Sequence, residues 1–404
     1  MPRIALAAPG DLDPSFGNGG KVITDFGGDA QGEILSAAID SQDRIVTAGF
    51  SAGLSPPWNF TLARYRPDGN LDPSFGDGGI ATTDLQGTAF SVTTDRHGRI
   101  VAAGATQSAS GDLDFVVARY HSDGSPDRPF GSDGKVITDL GGQDWVRYVG
   151  VDSRGRILAV GQRGVTRGWF ALARYLPSGT LDESFSGDGK AIFGFRGVAS
   201  RVWAASGAID SRNRIYAAGT ADTRSGDDFA LVRFSVNGVV TARSFGTGGM
   251  VLTDFGGHDY GSGTLIDPQG RVVLSGDSDG DFALARYQAD GSLDRGFGGD
   301  GKVTTDVGGY GDADDVAIDS QGRVVAGGYE STGGEYDNRS AFAVARYNPN
   351  GSPDSAFGSS GVATTDFGAE TLDEAFSVAV DSQDRIVAAG YRSGAYALAR
   401  YLGQ

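Results

Sequence analysis

The sequence predicts an all-β chain without long helices, and three observations carry that prediction. Glycine supplies 66 of the 404 residues, and each glycine inside a helix costs about 1 kcal/mol relative to alanine. Of the 51 acidic residues 45 are Asp and 6 are Glu; Asp favours turns, whereas Glu is a good helix former. Three short strings recur seven times each along the chain, and such periodicity marks a repeat architecture.

The first string, ARY or a variant, carries Arg64, Arg119, Arg174, Arg233, Arg286, Arg346 and Arg400. The second, close to LDPSFG, carries Phe16, Phe75, Phe130, Phe185, Phe245, Phe297 and Phe357. The third, close to DSQGRIV, starts at Asp40, Asp95, Asp152, Asp210, Asp267, Asp319 and Asp381, each with Arg four residues on. Spacings run from 52 to 62 residues. Each unit holds four short apolar runs between Gly/Asp/Pro turns; in the first they are Ile34–Asp40, Arg44–Phe50, Phe60–Arg66 and Ile80–Leu85. Their length, β-branched content and bounding turn residues read as strands. Four strands in each of seven units is the arithmetic of a seven-bladed β-propeller with four antiparallel strands per blade.

The last unit stops after its third strand, at Ala399-Arg400-Tyr401, and the missing fourth appears at the other end of the chain as Lys21–Phe26. That N-terminal strand is expected to complete the last blade and close the ring, which removes open sheet edges. The expected blades span about 30–85, 88–140, 145–195, 202–255, 260–307, 312–367 and 374–404 of a single domain, 1–404.

The FALARY, LDPSFG-DGG and DSQGRIVAAG strings resemble those of the bacterial delta-60 repeat β-propeller family, over nearly the whole chain. The resemblance implies a propeller and, often, an exported or surface protein, without implying one activity.

Naming the strands A to D from the centre outward, all three strings fall on one face, the bottom. There the Asp ending strand A is expected to accept backbone N–H bonds of the A–B turn. The strand C Arg is expected to bridge to that Asp or to a C–D loop carbonyl, and the Phe to plug the blade base. The opposite face varies between units, so a specific site is expected there. The position seven residues before each strand A Asp reads Glu33, Thr88, Trp145, Trp203, Tyr260, Asp312 and Glu374. An aromatic arc (Trp145, Trp203, Tyr260) would face an acidic arc (Glu33, Asp312, Glu374), with Trp58 and Trp169 near loops of the same face. Such a mouth suits a ligand with a flat apolar face and a cationic or polyhydroxyl side. Aromatics capping blade ends and acids solvating loops would give the same pattern.

Calcium needs six to eight oxygens, often from closely spaced Asp. Asp144, Asp259, Asp312, Asp314 and Asp373 are the candidate ligands, and Asp277-Ser278-Asp279-Gly280-Asp281 and Asp315 add local density. His258 or Tyr260 would carry protons and Arg147 or Arg201 would meet a substrate anion if the site is a cation-dependent hydrolase or lyase. That enzyme is the alternative; the leading reading is a non-enzymatic, extracellular or surface binding or scaffold propeller whose top face takes a glycan, peptide or protein. Serine-hydrolase elbow patterns around Ser51 and Ser278 fall in hairpins rather than between a strand and a helix, so they carry no chemistry. No cysteine is present, which excludes disulfides, thiol catalysis and Cys-ligated zinc. A formal net charge of −17 repels nucleic acid and anionic membranes. No apolar run approaches a membrane span. Ala5-Leu6-Ala7 fits a small-x-small cleavage site, consistent with a trimmed export signal and a secreted or cell-surface protein.

Overall fold

The computed structural model describes residues 7–26, 31–52, 58–166, 168–195, 197–331, 339–368 and 371–404. Most of the expected cleavage motif lies outside the described residues. Among those described there are 27 strands and no helix, and no helix long and apolar enough to cross a membrane.

The strands form five four-stranded antiparallel sheets and one seven-stranded sheet. The third unit shows the pattern: Asp144–Val151 (A), Ile157–Arg163 (B), Trp169–Tyr175 (C) and Lys190–Phe193 (D) pair in sequence order. Strands B and C are buried along nearly their whole length, because neighbouring sheets cover both faces. Ile45–Ala52 and Asn59–Tyr65 therefore read as continuous apolar runs rather than alternating ones. The first strands of successive units pack side by side, and Asp373–Val380 packs against Gln31–Ile39, so the inner strands close on themselves.

The seven-stranded sheet arises from one long strand, Ile80–Thr94. Its first part pairs with Asn59–Tyr65 and its second with Ile100–Gln107. The D–A connections leading into the third to sixth units turn on glycines with positive φ, such as Gly141 (93°) and Gly142 (112°). Here Asp84-Leu85-Gln86-Gly87-Thr88 is two residues shorter and has no glycine pair, so the backbone runs straight through.

The chain ends meet within one sheet. Lys21–Thr24 pairs with Ala395–Tyr401 as its outer strand, with Lys21 opposite Ala399 and Thr24 opposite Tyr396. The bottom face explains the repeated strings. Asp40 Oδ1 accepts the amides of Gln42 and Arg44, and Oδ2 accepts Arg44 Nε at 2.7 Å; the same turn recurs at Asp152 and Arg156. The strand C arginine differs from expectation in its carboxylate partner. Arg119 Nε donates to Asp127 of the LDPSFG-like loop at 2.7 Å, and its Nη1 donates to the Pro177 carbonyl in the next unit's C–D loop. That loop folds back under its own strand C, placing Asp127 nearer than the Asp of the A–B turn. Phe130 is fully buried with the Arg119 guanidinium 4.4 Å above its ring. Arg400 repeats the arrangement across the chain ends, donating to Asp13 at 2.9 Å and to the Pro67 carbonyl.

Candidate functional site

Every unit's strand A carries a break in register against strand B: between Ile34 and Ser36, Ala89 and Ser91, and Ala204 and Ser206, for example. A β-bulge leaves one residue unpaired and re-aims its side chain. At least one bulged residue from every unit lines one central cavity of about 550 Å³. Leu35, Phe90 and Phe376 give it apolar wall, Ala205 and Ser262 leave room, and Arg147 and Asp314 bring charge. A glycine of strand B makes the bulge possible. A Cβ on Gly161 would stand 2.0 Å from the Trp145 carbonyl oxygen, and one on Gly328 would stand 1.8 Å from that of Asp312.

The positions counted from the sequence share one register site: Glu33 pairs with Phe50, Trp145 with Gln162, Trp203 with Thr220, Asp312 with Tyr329 and Glu374 with Tyr391. Thr88, at the same position, is buried opposite Ala105. Trp145 and Trp203 line the cavity together with Asp314, Asp315 and Arg147. Tyr260 is 39% exposed and is not part of that lining. Arg147 lies over the Phe90 ring at 4.5 Å; burial pulls its pKa down while the charge of Asp314 supports it.

The acids of units 6, 7 and 1 act on one another. Burial, then the charge of Glu374, pushes Asp312 to about 7, against a hydrogen bond from Ser262. Burial, then Asp312 and Glu374, hold Asp314 well above the usual carboxylate range. Burial raises Asp315 to about 6, although Val378 N and Ser377 Oγ both donate to its Oδ2. Glu374 is raised by burial and by Glu33, and Glu33 by burial. Asp312 Oδ1 and Asp314 Oδ2 are buried without a hydrogen-bond partner.

Other candidates fall elsewhere. The His258 side chain is 69% exposed, with Nδ1 3.3 Å from Asp227 Oδ2. Arg201 is exposed in a separate cleft with Trp169 and Phe195. Neither reaches the cavity, so a catalytic set joining His258, Tyr260, Arg147 and Arg201 is not assembled. Trp58 stacks on Phe50 at 4.6 Å between centroids and is 46% exposed. The Asp277–Asp281 segment is a tight B–C turn: Gly280 N donates to Asp277, and Asp279, at φ 48°, accepts His258 N.

The five acids proposed as one metal set are also divided. Asp144, Asp259 and Asp373 sit one residue before the mouth position, and successive strand residues point to opposite faces. They turn toward the preceding sheet and are fully buried. Each has its Oδ2 tied to a D–A loop amide, that of Leu140, Phe255 or Phe367. Asp144 meets Asp114 and Asp139, and Asp259 meets Asp228 and Asp254, one carboxylate oxygen of each lying within 4.8 Å of the others. Sequence reading missed Asp114, Asp139, Asp228 and Asp254; the one available signal was their equivalent placement in the second and fourth units.

Repeated antiparallel sheets around a bulge-lined centre define a β-propeller. The family model described as "Domain of unknown function (DUF5122) beta-propeller" matches residues 43–75, 98–130, 155–185, 268–297 and 320–357, and the chain belongs to this β-propeller repeat family. No curated protein sequence matches it. Among solved structures it is similar to the WD40 β-propeller domain of Doa1, at 10% identity and TM-score 0.51, over 95% of this chain and 98% of that one. It is also similar to the polysaccharide lyase Uly1, at 10% identity and TM-score 0.50, over 91% of this chain and 89% of that one. At such identity both likenesses speak to the fold alone.

Proposed function

We propose that this chain is a seven-bladed binding propeller that takes a glycan end into its central cavity. The blade count follows if Ile80–Thr94 serves as outer strand of one blade and inner strand of the next, as its two pairings suggest. The observation that carries the ligand reading is the convergence of Trp145 and Trp203 with Asp314 and Arg147 on one cavity of about 550 Å³. That volume lies in the ordinary range for small-ligand sites, roughly 300–1,000 Å³. Indole faces stack on the apolar face of a sugar ring, while carboxylates, guanidinium and the Ser36, Ser91, Ser206 and Ser377 hydroxyls suit its polyhydroxyl edge. An exported or surface-displayed protein fits this use. The test is a glycan array read with wild type and the Trp145→Ala/Trp203→Ala variant. Selective glycan signals that vanish in the variant support the reading; unchanged signals refute it, and signals for peptides alone replace the ligand class.

A second reading is a hydrolase or lyase, favoured by carboxyl groups held near neutrality, Asp312 at about 7 and Asp315 at about 6. Asp314, on the cavity wall and acted on by the charge of Asp312, would then exchange protons with substrate and Arg147 would meet its anion. A polysaccharide panel assayed for new reducing ends and unsaturated products separates the two: turnover abolished by Asp314→Asn marks an enzyme, and binding without turnover a receptor.

A further inference from the structure

The two acid triads, each with two buried members, stand outside the cavity at equivalent junctions between sheets, and they differ in the residue paired with the first acid of strand A. In units 3 and 7 the residue paired with the first acid of strand A is an arginine: Asp144 faces Arg163 and Asp373 faces Arg392. In unit 5 the equivalent position is Ser278, opposite Asp259. The triad of Asp228, Asp254 and Asp259 therefore lacks the guanidinium that its counterparts carry.

Two of its oxygens are unsatisfied. Asp259 is fully buried and Asp228 is 4% exposed, and Oδ1 of each has no hydrogen-bond partner. Their Oδ2 atoms are occupied, by Phe255 N in one case and by Thr223 Oγ1 in the other. Among the described residues no nearby cation pairs with these carboxylates. Lys302 Nζ binds the Asp254 backbone carbonyl at 3.0 Å, as Lys190 binds that of Asp139. His258 meets Asp227 instead, and Arg224 lines an adjoining open cleft beside Asp228 without an ion pair to it. Three converging carboxylates, two of them buried, hold a charge that costs several kcal/mol per ion to bury uncompensated.

We propose that Asp228, Asp254 and Asp259 bind one calcium ion between the fourth and fifth units. The donor set is all oxygen, which selects a hard cation, and three carboxylates with water reach the six to eight ligands calcium takes. Asp254 is exposed and gives the ion its way in. The ion joins strand C and the D–A loop of one unit to strand A of the next, so it acts as a staple between sheets rather than at the ligand cavity.

The experiment titrates the chelator-stripped full chain with calcium chloride, read by calorimetry and by melting temperature, for wild type, Asp228→Asn, Asp114→Asn, Asp314→Asn and Ser278→Arg. Wild type and Asp114→Asn are expected to show a saturable heat and a rise in Tm. Asp228→Asn is expected to lose both. Ser278→Arg supplies the arginine of the sister units, so it should lose calcium binding yet melt, without calcium, no lower than wild type without calcium. If Asp228→Asn fails to fold, Ser278→Arg decides. The proposal is overturned if wild type shows neither heat nor Tm shift, or if Ser278→Arg binds as wild type does. It is equally overturned if binding disappears in Asp114→Asn, or in Asp314→Asn while Asp228→Asn retains it.

Discussion

Replacing Asp13 by alanine tests how the ring is held shut. Asp13 lies in the N-terminal segment, is 4% exposed, and receives Arg400 Nε and Nη2, both at 2.9 Å. Its other oxygen accepts Ser15 N and Oγ at 2.9 and 2.7 Å. Burial alone would raise its pKa, but the Ser15 hydrogen bonds and the Arg400 charge outweigh that and hold it low. Asp13→Ala leaves Arg400, itself 2% exposed, with the Pro67 carbonyl and Ser15 Oγ but without its ion-pair partner, the Asp381 charge acting only from farther away. Breaking a buried pair from one side costs about 3–5 kcal/mol. With an unfolding entropy near 2.1 cal/mol/K per residue, a chain of this length should melt about 4–6 °C lower. The double variant Asp13→Ala/Arg400→Met removes both charges and should recover most of the loss, because an apolar replacement of a buried pair is often neutral. Calorimetry gives the melting temperatures, and hydrogen exchange at Lys21–Thr24 should accelerate selectively in the single variant. A melting temperature within about 1 °C of wild type, with unchanged exchange at that strand, would refute the closing role of the segment.

Further outcomes follow from the cavity and the bulges. The channel acids bind protons more tightly folded than unfolded, Asp312 at about 7 against 3.8, so stability should rise as pH falls from about 8 toward 5. Asp72, Asp182 and Asp294 are held below 3.8: burial opposes this, but hydrogen bonds and arginine charges outweigh it. Their contribution, full above that value, should disappear as pH falls below about 4, giving a stability maximum between the two regimes in thermal melts across pH. Asp314→Asn should stabilise the protein at pH 8 and flatten that slope; an unchanged slope would detach it from the channel acids. Gly161→Ala should cost more than about 3 kcal/mol in denaturant unfolding, because the added methyl meets a backbone carbonyl, not a movable side chain. A cost below about 1 kcal/mol, the size of an ordinary strand substitution, would count against the bulge account.

Much of this was legible because seven copies serve as their own alignment. Asp40 and its six equivalents mark the end of strand A, so counting back seven residues reaches one register position in every unit, the bulge being present in each. Residue type and position mark Arg147 and Asp314 as candidates, but the direction of the bulged side chain is not legible: only the break in register turns both into the central cavity. Single-sequence counting also put Asp144, Asp259 and Asp373 at the mouth, although strand alternation sends them between sheets. Their partners Asp114 and Asp228 lie some thirty residues earlier and meet them only through packing of adjacent units. The fused strand Ile80–Thr94 depended on the absence of a glycine pair, a small departure inside a strong repeat.

The glycan reading is tested most directly by a crystal structure of the chain with the strongest oligosaccharide from the array. Sugar stacked on Trp145 and Trp203 with hydroxyls on Asp314 is the predicted result. Sugar seated on the exposed Trp58, which stacks on the buried Phe50, with the central cavity filled only by water, would contradict it.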